Sequence, residues 1–410
     1  MLAAIKETRA KMKTADPEFM RAINRYHVVD TVRAHGPIAR VEIAERTELS
    51  RATVSAITGA LIEEGLVDVR RVEAVENGAR GRPRVLLELN RSAYNVVGVK
   101  LSANRVDVTL ADASGGVIGA LVLPVRIARQ PPEVIADIVE DGVRQCVTDA
   151  GLSMADIDGV GIGLPGVIDG VAGISHWSPV LSPTPVAFAE AVRRRLGVPV
   201  LVENDANLVA GAEHWFGHGR GLSLFIVVTV ENTVGMGIVI DGRLHRGNHG
   251  IGAEFGHVKH DARGPLCRCG QRGCIDCYAS GWGILRAAAS AGLIADAEEP
   301  DGITTLVDRA LAGEAGPAGL FREAGEVLGL GIANVVNLLN PPRVIVLGEM
   351  LRAGELIRAP LLAAVDANVL PTLREVTEIV FHPWESEMWA RGAATLVLRR
   401  IYEAPWNNAA

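Results

Sequence analysis

An α/β chain of two or more domains, a small helical head followed by a larger body of strands and helices, is what the sequence predicts. Three observations carry this. Residues 1–90 repeat apolar positions at helical spacing and close on two short strand runs joined by a basic turn. From Val96 the pattern changes to strand runs and then to strands interleaved with helical stretches. Between Gly252 and Cys274 one segment reads G-A-E-F-G-H and then, after nine residues, C-R-C-G-Q-R-G-C. At 410 residues the chain exceeds one ordinary domain. Domains are expected at 1–90, 91–210 and 211–384, with a C-terminal helix over 385–402 returning to the second of them.

Charge and cysteine usage narrow the class. Residues 1–91 hold 16 Lys and Arg against 13 Asp and Glu, or +3, and the remainder holds 25 against 35, or −10. A mildly basic head on an acidic body suits a nucleic-acid head piece. Four of the five cysteines fall within 267–277, a metal spacing that argues for a reducing compartment instead of a disulfide framework. The N-terminal MLAAIKETRAKMK is charged and has no apolar run, and nowhere do twenty apolar residues follow one another. Neither signal peptide nor membrane span is expected, and the protein is placed in the cytoplasm.

In the head, Phe19, Ile23, Tyr26, Val29 and Val32 recur at three- and four-residue steps, and Gly36-Pro37 ends that helix. A short helix follows near 40–47, a turn at Glu48–Leu49, and a second helix with Ser50 as its N-cap. Ala44, Leu49, Val54, Ile57 and Leu61 hold the packing positions of a helix-turn-helix. Arg51, Thr53, Ser55 and Thr58 are assigned to the opposite face, together with Ser50 at its start. One Arg among short polar side chains at the opening of this helix suits major-groove readout. V-D-V-R-R-V and V-L-L-E-L then form a wing whose tip, G-A-R-G-R-P, presents Arg80 and Arg82 to a minor groove or to phosphates.

In the body, three successive strands are read from Val96, with turns at Ser102–Asn104 and Ala113–Gly116. A helix over 133–150, a buried strand in V-G-I-G-L-P-G-V-I-D, a helix over 186–196 and a strand ending at Asn204-Asp205 come next. The segment from Gly329 to Leu347 reads as core. The cysteine-rich segment is the strongest chemical signal. Three thiolates and an imidazole, from Cys267, Cys269, Cys274 and His257, make a closed tetrahedral set for structural zinc. Gly270 and Gly273 permit the reversal that returns Cys274 to the same ion. A zinc hydrolase is disfavoured, because four protein ligands leave no place for water. Cys146 and Cys277 are read as buried thiols.

The E-x-G-H followed by C-x-C-G-x-x-G-C resembles the signature of the ROK family of repressors, open reading frames and sugar kinases. The chain departs once, with Asp276 where the family has Glu. The resemblance implies a two-lobed, actin-like body of the ribonuclease-H type, with a sugar held in its cleft. It implies Asn204, Asp205, Glu254, His257 and Asp276 as sugar contacts, Asp205 matching the general base of the family's kinases. It also matches the winged head to that of the family's repressors.

Phosphoryl transfer is not expected. The kinases' D-x-G-G-T turn is replaced by Lys100-Leu101-Ser102-Ala103-Asn104, and their G-T-G-x-G loop by Glu231-Asn232-Thr233-Val234-Gly235. Gly348-Glu349 likewise stands where two glycines are common in the kinases. The sequence is therefore read as a repressor of carbohydrate-metabolism genes, a homodimer or homotetramer, released from operator DNA when a sugar effector closes its lobes. The rival readings are an ATP-dependent sugar kinase with a regulatory head, and an activator in place of a repressor.

Overall fold

The computed structural model describes residues 17–72, 84–299, 301–382 and 387–402. Two compact units emerge. One is the chain up to Asn95 with Asp112–Gly116 and the residues from Val397 on; the other is Val96–Ala111 with Val117–Leu396.

The first unit opens with α1 (Pro17–His35), β1 (Ile38–Ala39), α2 (Arg40–Thr47), α3 (Arg51–Glu63), β2 (Val67–Val72) and β3 (Arg84–Leu89). The strands form an antiparallel sheet in the order β1-β3-β2, with Val67 opposite Leu89 and Val72 opposite Arg84. Left-handed Glu48 (φ 57°) stops α2. The Ser50 hydroxyl accepts from Thr53 N at 3.1 Å and starts α3, so the turn between them is set by local cap chemistry. Val54 and Leu61 are fully buried with Val28, Val32 and Ile43, while Leu49 and Ile57 are half-buried. Arg51 and Ser55 are exposed and Thr53 is half-buried.

Thr58 corrects the sequence reading. It is fully buried, its hydroxyl donating to Val54 O at 2.8 Å and accepting from Arg40 Nε at 2.8 Å. Four residues past Val54 and three before Leu61, it lies on the packing stripe instead of the outer face. Arg80 and Arg82 lie outside the described residues.

The larger unit begins in β4 (Asn95–Ser102) and continues through β5 (Arg105–Asp112), β6 (Val117–Leu123), α4 (Pro132–Asp149), β7 (Gly159–Leu164), β8 (Val167–Asp169), β9 (Ile174–Trp177), α5 (Phe188–Leu196) and β10 (Val200–Asn204). Helix α6 (Asp205–Phe216) leads on to β11 (Phe225–Val230), β12 (Val234–Ile240) and β13 (Arg243–Leu244). Then come α7 (Asp276–Ala279), α8 (Gly281–Ser290), α9 (Gly302–Leu311), α10 (Ala315–Leu339) and β14 (Arg343–Leu347). The last elements are α11 (Glu355–Asn368), α12 (Pro371–Arg374), β15 (Glu378–Phe381) and α13 (Glu387–Ile401).

Two five-stranded sheets result, β10-β7-β4-β5-β6 and β13-β12-β11-β14-β15. Strands β4, β7 and β10 are mutually parallel, as are β11, β14 and β15. Two mixed sheets of this kind in succession are the ribonuclease-H-type architecture of the actin-like folds. Each sheet buries an apolar core, Val97, Val99, Val139 and Phe188 in the first and Val228, Phe321, Leu328 and Val346 in the second. Helix α6 extends β10 and packs against β11 and β12, so it joins the two sheets. That packing needs Gly237, where a Cβ would lie 2.5 Å from Ala210 Cβ and 2.7 Å from Ala206 O.

Helix α13 lies so close on β4 that a Cβ at Gly98 would sit 1.8 Å from Ala390 O. Gly98→Ala is therefore expected to cost about 3 kcal/mol or more, the upper range for overpacking. A thermal midpoint unchanged from wild type would contradict this packing.

Candidate functional site

The site grows from strand ends. β10 stops where Asn204 caps α6: its Oδ1 accepts from Ala206 N at 2.9 Å and Asn207 N at 3.4 Å, and its Nδ2 donates to Gly166 O at 2.9 Å. Asp205, the first residue of α6, opens to a pocket. On its far side the pocket is walled by the loop before β12 and by the 3-10 turn Phe255–His257, with Glu254 just before it. Asp276 completes it. The five residues assigned to a sugar from the sequence, Asn204, Asp205, Glu254, His257 and Asp276, thus line a single pocket.

Their partners were not foreseen. Lys100 Nζ, near the end of β4, donates to Asp205 Oδ2 at 2.5 Å and stands 4.6 Å over the Trp389 ring. Lys100 is 6% exposed, so the pair is largely shielded from water. Asp276 is also buried; Oδ1 accepts from Val234 N at 2.9 Å, and Oδ2 accepts from Arg268 Nε at 3.3 Å. Arg268 is held in turn by the Trp282 ring, 4.6 Å away, and by Asn232 O. Beneath the pocket, Glu203 is 1% exposed and accepts from Asn204 N, Asn207 Nδ2 and Arg246 Nε, the last at 2.6 Å. Buried carboxylates persist only when so paired.

Glu254 differs from the other two carboxylates. It lines the pocket and is exposed overall, yet the protein atoms packed around its carboxyl displace much of its water. That desolvation, and then the facing Asp205 carboxylate, push its pKa up to about 7. Trp177, 40% exposed, lines the same pocket. An indole there offers a flat platform for the C–H face of a ring-shaped ligand. Lys100 stands 105 positions from Asp205, and no short-range pattern joins them. Glu203 did leave a trace, a charge inside the apolar run V-L-V-E.

Beside the pocket lies a cluster of donors. One ligand atom each from His257, Cys267, Cys269 and Cys274 fall within 4.8 Å of one another, so the set can hold a metal ion. Cys269 Sγ is 3.7 Å from Cys274 Sγ, and Cys267 Sγ is 3.7 Å from His257 Nδ1. Burial, with Arg268 and Lys259 nearby, holds the His257 imidazole below its usual pKa against the pull of Asp276, which favours the neutral ligand form. Lys259 Nζ donates to Cys274 Sγ at 2.9 Å. Gly273 (φ 66°) makes the return possible, since a Cβ there would lie 1.4 Å from Asp261 O. Cys146 and Cys277 are buried and outside this group.

The regions aligned with phosphate loops are engaged internally. Glu231 Oε1 accepts from Glu349 N at 3.1 Å. Gly348 (φ 129°) brings its backbone so near β11 that a Cβ would meet Val230 O at 2.3 Å. The α10–β14 segment read as core is so in part: Ile332, Val336 and Val344–Leu347 are buried, but Leu338 is 81% exposed.

Comparison with known proteins agrees with this architecture. The ROK family pattern matches residues 96–400, and a winged helix-turn-helix DNA-binding pattern matches residues 22–68. The xylose repressor of Bacillus spizizenii is 26% identical over 393 residues, covering 96% of this chain and 99% of its own. The crystal structure of a ROK family transcriptional regulator, a homologue of the E. coli MLC protein, superposes with a TM-score of 0.77 at 25% identity, covering 94% of this chain and 98% of that one. A ROK family glucokinase from Streptomyces griseus, solved with glucose and AMPPNP, gives 0.64 at 29% identity, covering 74% and 98%. Among the described residues no helix is long and apolar enough to cross a membrane.

Proposed function

The chain belongs to the ROK family, and from that premise we propose that it is a cytoplasmic, sugar-responsive transcriptional repressor and not a sugar kinase. The observation that carries the second half is the Lys100–Asp205 pair. In the kinases this chain resembles, the residue at 205 takes a proton from the attacking hydroxyl, and a carboxylate at 100 helps hold magnesium. Here a lysine replaces that carboxylate and bonds to the would-be base. The lysine ammonium occupies the Asp205 oxygen that a substrate hydroxyl would need as its proton acceptor. Glu231 seated on Glu349 N–H supports the same reading, since a carboxylate takes an N–H that a phosphate oxygen would need.

The repressor half rests on full-length similarity to a repressor and on the head. Ser50, Arg51, Thr53 and Ser55 begin α3, the helix we assign to the major groove, with Arg80 and Arg82 assigned to the wing tip. Asn204, Asp205, Glu254, His257 and Asp276 form the effector site. Asp205 and Glu254 offer acceptor capacity to hydroxyls, while Asn204 and Asp276 are held by the protein and shape the pocket. Effector and operator are coupled by about 1–3 kcal/mol, enough to change operator affinity roughly 5- to 150-fold. Two-fold operators favour a homodimer or homotetramer.

Zinc is the metal we assign to the cluster. Tetrahedral zinc with Zn–S near ~2.3 Å sets sulfurs about 3.8 Å apart. The Cys269–Cys274 separation of 3.7 Å fits that edge. Bound there, zinc would fix the His257 ring at the pocket wall and supply structural, not Lewis-acid, chemistry.

The decisive experiment is a mobility-shift titration with DNA from upstream of the protein's own gene, at fixed salt, with and without a monosaccharide panel. A shift reversed by one sugar establishes the reading. ATP turnover with any panel sugar would return the chain to the kinases. Arg51→Ala is expected to weaken operator binding by about 1–3 kcal/mol while leaving sugar binding unchanged. Undiminished DNA affinity would move the reading face of α3 elsewhere.

A further inference from the structure

We infer that the pocket selects a neutral, unphosphorylated sugar and rejects the phosphate ester of the same sugar. The inference rests on the sugar-pocket reading above and names its ligand class. Three carboxylates line the pocket, Asp205, Glu254 and Asp276, and among the described residues neither lysine nor arginine does. The cations that compensate them approach from the protein side. Lys100 holds Asp205 Oδ2 and Arg268 holds Asp276 Oδ2, and neither contributes to the lining.

This arrangement has a definite chemical bias. From the ligand's side the charged groups on show are acceptors, suited to hydroxyl donors. A phosphate monoester carries a charge of about −1.5 to −2 and strong acceptor oxygens at neutral pH. It would meet like charges, with the nearby cationic donors already spent on carboxylates. Anion-binding sites need the opposite arrangement, with Arg, Lys or free N–H groups turned inward. Trp177 adds an apolar face, which favours the C–H surface of an uncharged ring.

The test is calorimetric titration of the full-length, metal-loaded protein. The panel is D-glucose, D-mannose and N-acetyl-D-glucosamine, each beside its 6-phosphate, and D-xylose beside its 1-phosphate, so that every pair keeps the pyranose ring, with inorganic phosphate alone. At least one neutral sugar is expected to bind about 100-fold or more tightly than its ester. An ester binding as tightly as its parent overturns the inference and leaves the sugar pocket standing. If no sugar in either form binds, the pocket reading falls, and the inference with it. Asp205→Asn provides a second reading, because it removes one carboxylate and frees the Lys100 ammonium. The preference for the neutral sugar should then shrink at least tenfold. A variant that stays folded, binds sugar and keeps the full preference would refute the role given to this pair.

Discussion

Cys274→Ser is expected to empty the metal cluster and to lower the thermal midpoint of the body by roughly 10 °C. The residue is fully buried, and its sulfur lies 3.7 Å from that of Cys269 and accepts from Lys259. The loop it closes has little regular structure to hold it. Lys259 pairs with Cys274 and Leu266 with Arg272 as isolated bridges, and Cys269 is exposed. A serine hydroxyl does not ionise near neutral pH, so one of four soft ligands is lost outright. Structural zinc contributes about 10–16 kcal/mol of apparent binding energy in small finger peptides. Even a third of the upper figure, about 5 kcal/mol, corresponds to about 10 °C for a domain of this size. Elemental analysis beside a melting curve is the check. One zinc per chain retained in the variant would sink the ligand assignment, whatever the midpoint did.

Glu203→Ala should be the most damaging single change away from the metal. Its carboxylate is 1% exposed and receives three donors, from Asn204 N, Asn207 Nδ2 and Arg246 Nε. Removing it leaves buried amides without an acceptor and a guanidinium without its counter-ion. Breaking a buried pair from one side costs about 3–5 kcal/mol, and urea denaturation would read this as a fall in midpoint at constant slope. Because Asn204 N is one of the donors, sugar affinity should fall too. Glu203→Gln keeps one acceptor oxygen for Asn204 N and Asn207 Nδ2 while setting an amide NH2 against Arg246 Nε, and should recover part of the stability. Should Glu203→Ala melt with wild type, the network is not what anchors the pocket.

The head and most of the body were legible because their signals are local. The turn at Glu48–Leu49, the Ser50 cap and the 40–47 helix were read from neighbouring residues, and the structure places them there. Thr58 was misplaced for an instructive reason. Its polarity suggested the outer face, yet helical period puts it between Val54 and Leu61, and its hydroxyl is satisfied by Val54 O and Arg40. A buried threonine that bonds back along its own helix carries little polar penalty, so polarity alone could not decide its side.

The five pocket residues were brought in by family resemblance and by the E-x-G-H and N-D motifs, and they do meet. What each one does there was not legible. Asp276 was expected as a sugar acceptor, and its oxygens are taken up by Val234 N and Arg268. Lys100 was seen as a lost magnesium site, and its bond to Asp205 was not foreseen.

The sequence by itself determined periodicity, caps, the wing strands and the spacing of four metal donors, all properties carried within short stretches of consecutive residues. Only the tertiary structure decided which cation faces which carboxylate. Lys100 and Asp205 are 105 positions apart, and Glu203 and Arg246 are 43. Hydrophobic period tells which face of an element is buried, but not which charge another element will set against it. An ion pair forms only where folding has already brought its two chain segments together and removed the water between them.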